Sequence, residues 1–183
     1  NLMAFLNACK GLNFKGFHVY DGHLRDPDFS ERNTKIEKSL DVVTTYFKAV
    51  QEKFPDAQMI CGGTPSFTSH LKEDNRITSP GTCVLWDWGY GEKLTEQQFK
   101  HAALLVTRII SKPTKGIITV DLGHKSVAAE NPIDKRVKFL NLEGYELLSQ
   151  SEEHGVIKVN DWEKYKVGDV FYVIPYHICP TIN

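Results

Sequence analysis

The residues that can do chemistry gather in a few short segments. The segment GDVFYVIPYHICPTIN, residues 168–183, runs from a stretch suited to burial into His177, Cys179, Pro180 and Thr181. Side chains two apart on an extended chain face alike, so His177 and Cys179 are expected on one side. Imidazole and thiolate together suit a borderline-soft ion such as Zn²⁺. Two ligands fall short of a closed structural site and fit an open one, with water or substrate in the other positions. Without a metal, the same pair is simply part of a solvent-facing tail.

CGGTPSF, residues 61–67, puts two glycines after an apolar run. Backbone N–H groups of such a loop can converge on a small anion, with Thr64 or Ser66 adding a hydroxyl. The plainer reading is a tight turn that needs glycine for positive φ. Gly81 and Thr82, in PGTCVLWDWGYG, repeat the Gly-Thr pairing after the next expected strand and would form a second donor loop. VYDGHLR places Tyr20, Asp21, His23 and Arg25 just past a strand end, where α/β folds build their sites. His23 there is either a general acid or base or a solvated loop residue. Trp86, Trp88 and Tyr90 read as a packed cluster at a hinge rather than a stacking platform. Lys125, in DLGHKS, reads as the tie of a turn rather than a nucleophile, and His154, in SEEHG, as a residue that can face a site from the second half.

These segments hang on two textures. In the first, GFHVY and AQMIC are short buried-type strands flanking an amphipathic helix. Its apolar stripe is Ile36, Leu40, Val43, Phe47, Val50 and Phe54, at alternating spacings of four and three. Asp28 followed by Glu31 predicts the helix start and Pro55 its stop. Strand, helix, strand and glycine loop in that order predict a βαβ unit of a parallel sheet. From His101 onward, ALLVTRIIS, GIITVDLG, RVKFLNL, GVIKV and DVFYVIPY are β-rich runs between turn signals, as in an antiparallel β domain. The boundary is expected near Glu92, giving domains 1–92 and 93–183.

Composition sets outer limits. The 183 residues are 41% hydrophobic and 25% charged, with 22 basic and 23 acidic side chains for a net charge of −1. That balance supplies no electrostatic reason for nucleic acid or an anionic membrane as partner. No run approaches the roughly 20 apolar residues of a membrane span, and residues 1–16 lack the pattern of a signal peptide. The four cysteines have no paired spacing, which suits reduced thiols in a cytoplasmic protein. The start without Met, inside an apolar helical pattern, reads as a cut through a longer protein.

In order, GFHVYDGHLRDPD, GGTPSF, PGTCVLWDWGY, DLGHKSVAAE, QSEEHG and VGDVFYVIPYHICPTIN resemble the D-threonine aldolase and D-serine dehydratase-like enzymes, across nearly the whole chain. The resemblance implies an alanine-racemase-like fold: the C-terminal part of a (β/α)₈ barrel, residues 1–92, followed by an antiparallel β domain, residues 93–183. It implies pyridoxal 5′-phosphate with a divalent metal, Zn or Mn, beside it. Gly62, Gly63 and Thr64 map to the phosphate loop, Gly81 and Thr82 to its second cup, and His177 and Cys179 to the metal ligands. His23 is the candidate acid–base group. The implied activity is lyase chemistry on a D-3-hydroxy amino acid, aldolase-like, with D-serine dehydratase or racemase activity as alternatives. A cytoplasmic homodimer is the implied assembly. The family's Schiff-base lysine matches none of the lysines here, so this stretch alone is expected to be inactive, and a non-catalytic fragment stays an alternative.

Overall fold

The computed structural model describes residues 2–182. The chain divides into two compact units, residues 1–81 and 82–183. The first unit holds helix α1 (Leu2–Ala8), strand β1 (Gly16–Val19), helix α2 (Phe29–Gln51), strand β2 (Gln58–Cys61), the one-turn helix α3 (Phe67–His70) and strand β3 (Arg76–Thr78).

The three strands form a parallel sheet in the order β1-β2-β3. α2 starts where the sequence predicts: the Asp28 carboxylate accepts the Glu31 N–H at 2.7 Å, which satisfies one of the orphan donors of the first turn. Its apolar stripe buries Ile36, Leu40, Phe47 and Val50. Burial of that kind stabilises by about 1.5–3 kcal/mol per large aliphatic or aromatic side chain. Phe47 and Val50 pack with Met59 and Cys61 of β2, and Phe14, Phe17 and Phe54 close the same core. Phe14 meets Phe54 edge-on at 5.0 Å between ring centroids.

The second unit opens with a 3-10 turn (Thr82–Val84) and helix α4 (Trp88–Lys93). Six strands follow: β4 (Leu105–Thr114), β5 (Ile117–Val120), β6 (Val137–Phe139), β7 (Tyr145–Gln150), β8 (Gly155–Val159) and β9 (Val170–Pro175). They make an antiparallel sheet in the order β6-β9-β4-β5-β8-β7. β4 joins its two halves. Residues 105–108 pair with β9 and the later residues with β5. The register of the second pairing shifts between Ile109 and Ser111 and again between Ser111 and Thr114. Pro113 lies inside the second shift, where a missing N–H costs the ladder least. The core of this unit is built around Ile118, Val120, Ile157 and Val173, all fully buried.

Five of these strands correspond to runs legible in the sequence. β7 does not: its burial alternates weakly, with Leu147 its one deeply buried residue. The division between units also falls before the expected boundary at Glu92. Residues 82–93 dock on the β unit through hydrogen bonds a sequence pattern does not carry. Gly89 N–H donates to Tyr176 O at 3.0 Å, and the Asp87 carboxylate accepts Ile178 N–H at 3.0 Å. Gly89 permits the approach, since a Cβ there would lie 2.6 Å from the same carbonyl oxygen.

Candidate active-site segments

In the first unit, the carboxyl ends of β1 and β2 carry the polar residues. Gly62 follows β2 at φ +78°, where a Cβ would fall 2.6 Å from Ser66 Oγ and 2.7 Å from His70 Cδ2. Only glycine fits. Gly62 N–H donates to Val19 O at 2.8 Å, and Gly63 N–H to Ser66 Oγ at 3.3 Å. Thr64 is buried, and Ser79 Oγ donates to Gly62 O at 3.0 Å. The loop is therefore first a built turn whose glycine N–H groups serve the unit itself. The long Gly63 bond is the weaker of the two. His23 is exposed in the turn closed by Leu24 N–H to Asp21 O at 2.9 Å. Gly81, the last residue of the unit, is exposed, with open space where a Cβ would stand.

Beneath that loop lies a buried polar chain for which the sequence gives little warning. Asp21, 3% exposed, accepts from Ser66 Oγ through one carboxylate oxygen and from His70 Nε2 at 2.8 Å through the other. With its hydrogen on Nε2, the fully buried His70 ring presents Nδ1 as acceptor to Arg76 Nη1 at 3.4 Å. Arg76 then grips Glu37 of α2 with two bonds of 3.0 and 3.1 Å. Burial pushes the Asp21 carboxyl up. The hydrogen bonds from His70 and Ser66 outweigh it and hold the group below its ordinary value. For Glu37 the Arg76 hydrogen bonds dominate and lower it.

In the second unit, β9 stops at Pro175. The extended-chain argument for His177 and Cys179 does not hold there. Ile178 is in the right-handed helical region, and Cys179–Thr181 form a 3-10 turn. Both residues are nevertheless accessible, His177 partly and Cys179 openly. Three fixings hold the segment. His177 Nδ1 is 2.6 Å from Glu130 Oε1, Thr181 Oγ1 donates to His177 O at 2.7 Å, and Ile178 N–H is taken by Asp87. Cys179 Sγ lies 3.3 Å from Thr82 Oγ1. A residue expected in the phosphate cup and one expected to bind metal are thus in contact.

Burial raises Asp87 above the ordinary carboxyl value, beyond what the Ile178 and Tyr90 N–H donors restore. Burial also acts upward on Glu130, but the His177 hydrogen bond and charge bring it below its ordinary value. Trp86 is buried against Phe99, at 5.2 Å between centroids, and Trp88 meets Tyr176 edge-on at 5.1 Å. These rings are packing, as expected. Lys125 bridges Glu152 at 2.7 Å and Glu153 at 3.3 Å, and Lys125 N–H donates to Glu152 O, so it ties two turns together. The SEEHG turn carrying His154 is the partner of that tie. Among the described residues, no group of three or more His, Cys, Asp or Glu side chains is arranged to hold a metal ion. No described helix is long and apolar enough to cross a membrane.

Residues 102–183 match the family model of the putative serine dehydratase domain. A D-threonine aldolase from Arthrobacter sp. is 23% identical over 180 residues, which are 94% of this chain and 46% of that protein. The crystal structure of D-threonine aldolase from Filomicrobium marinum is similar at TM-score 0.82 and 24% identity, over 98% of this chain and 49% of that one. An alanine-racemase-like protein from Idiomarina loihiensis follows at TM-score 0.69 and 19% identity, over 93% and 51%. The chain spans about half the length of the relatives it matches. The resemblance read from the sequence holds: the chain has the alanine-racemase-like fold, and its likeness is to the D-threonine aldolase and D-serine dehydratase-like family.

Proposed function

We propose that this chain is part of a lyase, dependent on pyridoxal 5′-phosphate and a divalent metal, that cleaves D-3-hydroxy amino acids to glycine and an aldehyde. The observation that carries the reading is the fixed turn at His177–Cys179, with the Thr82 hydroxyl on the thiol and the Glu130 carboxylate on the imidazole. The donor set fits the metal as an open site: one imidazole and one thiol on residues that are not buried, with no larger group of His, Cys, Asp or Glu arranged to hold an ion among the described residues. The phosphate reading fits the glycine loop, because Gly62 admits no side chain and the long Gly63 bond is the one that can be redirected to an anion.

When bound, the cofactor supplies an electron sink for the bond broken at Cα, and the metal supplies a Lewis acid for the β-hydroxyl. His177 and Cys179 would hold the metal. The Gly62–Thr64 loop would hold the phosphate, with the Gly63 N–H as its donor and Gly62 giving the turn its shape, and Gly81 and Thr82 would supply the second donor pair. The His23 imidazole, exposed in its turn, takes or returns a proton at the substrate's β-oxygen. The network at Asp21 keeps the Gly62–Gly63 turn in one geometry. No lysine of this chain is assigned to covalent attachment of the cofactor.

Product analysis with D-threonine tests the reading. Glycine with acetaldehyde is expected; 2-oxobutanoate with ammonia would replace it by dehydration, a second reading favoured by the family description that covers His177 and Cys179. In the full-length protein, His177→Ala is expected to abolish turnover while the cofactor absorbance persists. Loss of that absorbance in the variant would contradict the metal assignment.

A further inference from the structure

We infer that Glu130 is a positioning residue that sets which nitrogen of His177 serves as the metal ligand, an inference that rests on the metal reading above. An ionised carboxylate can only accept hydrogen bonds. At 2.6 Å from Glu130 Oε1, His177 Nδ1 must therefore carry the hydrogen. In the neutral ring this leaves the lone pair on Nε2. A ligating histidine needs one free lone pair and a fixed ring, and an outer carboxylate on its other nitrogen supplies both.

Glu130 is itself held in place. Its Oε1 also accepts from Asn131 Nδ2 at 3.2 Å, and Arg136 Nε donates to Asn131 O at 3.0 Å. Tyr176 N–H donates to Arg136 O at 2.8 Å, and Ala128 N–H to Thr181 Oγ1 at 3.1 Å. The segment bearing Glu130 is thus stitched on both sides to the segment bearing His177. A carboxylate on a freely moving surface loop would have no such ties, and an incidental ion pair between exposed side chains is worth little. The stitching is what distinguishes a built contact from an incidental one.

The test measures zinc affinity of the full-length protein by equilibrium dialysis in chelator-buffered zinc, with metal quantified directly. Zinc K-edge absorption reads the imidazole and sulfur scatterers. Glu130→Ala is expected to weaken zinc binding about 10–100-fold, with the melting curve unchanged. Glu130→Gln, which keeps an acceptor for Nδ1–H, is expected to recover part of the loss. If His177→Ala removes the zinc while Glu130→Ala binds within about twofold of wild type, the role given to Glu130 is wrong and the metal reading stands. If His177→Ala binds zinc as wild type does, the metal reading itself is wrong and the inference goes with it.

Discussion

Replacing Asp21 tests the buried chain beneath the glycine loop. Asp21→Ala removes the acceptor for two buried donors, Ser66 Oγ–H and His70 Nε2–H. An unsatisfied buried donor costs about 1–3 kcal/mol. Ser66 has a fallback, because its hydroxyl also lies 3.5 Å from Gly63 O. His70 is fully buried, and among the described residues its Nε2 is bonded to Asp21 alone. The expected loss is about 2–4 kcal/mol, mostly from His70. Asp21→Asn keeps an oxygen for Ser66 but turns an N–H₂ toward Nε2–H. Moving the ring hydrogen to Nδ1 would relieve that contact and set it against Arg76, so a loss of about 1–3 kcal/mol is expected.

The two units can be read separately by urea unfolding. The helical far-ultraviolet signal is dominated by the 23 residues of α2, and Trp86, Trp88 and Trp162 all lie in the second unit. The loss should appear in the helical signal first. The charge gives a pH signature too. The folded Asp21 carboxyl is held below its unfolded value of about 3.9, so its contribution is present at neutral pH and is lost as pH falls through the folded value. The gap between wild type and Asp21→Asn should therefore narrow below about pH 4. A shift under about 0.5 kcal/mol in the helical transition of Asp21→Ala would refute the assignment.

Gly62→Ala must place a Cβ at φ +78° against Ser66 and His70, for an expected loss of about 2–4 kcal/mol by thermal melting. Gly168→Ala is its control: at φ +96° with open space around it, the backbone cost alone, about 1–2 kcal/mol, is expected. Equal losses at the two positions would mean that the packing at Gly62 contributes nothing. Asp87→Ala removes the α4 cap on Tyr90 and the acceptor for Ile178 N–H, with an expected loss of about 2–4 kcal/mol in the tryptophan transition. Because burial raises the Asp87 carboxyl, wild-type stability should fall as pH rises through its folded value, and Asp87→Asn should flatten that slope.

What the sequence made legible followed from local periodicity. The α2 stripe, its Asp28 cap and the short buried strand into Gly62 each depend on residues within a few positions of one another. β7 was lost because Ser149 and Gln150 blur its alternation, and its pairing to β8 shifts register at Leu147–Ser149. The site residues show the same limit more sharply. Gly62 and the His177–Cys179 pair announce themselves by type and spacing. Asp21 stood in a segment worth attention, but its partner His70 lies 49 positions away, and Glu130 lies 47 from His177. Contacts of that span are fixed by strand order and loop docking, which no local pattern encodes. The contact between Thr82 and Cys179, 97 positions apart, is the extreme case.

The chain from Glu37 through Arg76, His70, Asp21 and Ser66 to Gly63 also bears on how the first unit opens. Parallel strands joined only by their ladders can release their end loops one at a time. Here β1's exit, β2's loop, β3 and the third turn of α2 share one run of side-chain bonds, so freeing any one of them strands a buried polar group on its neighbour. The loops at this end should open together or not at all. The amides of Gly62, Ser66 and Phe67 would then exchange their hydrogens at a common rate, well below that of an ordinary surface turn.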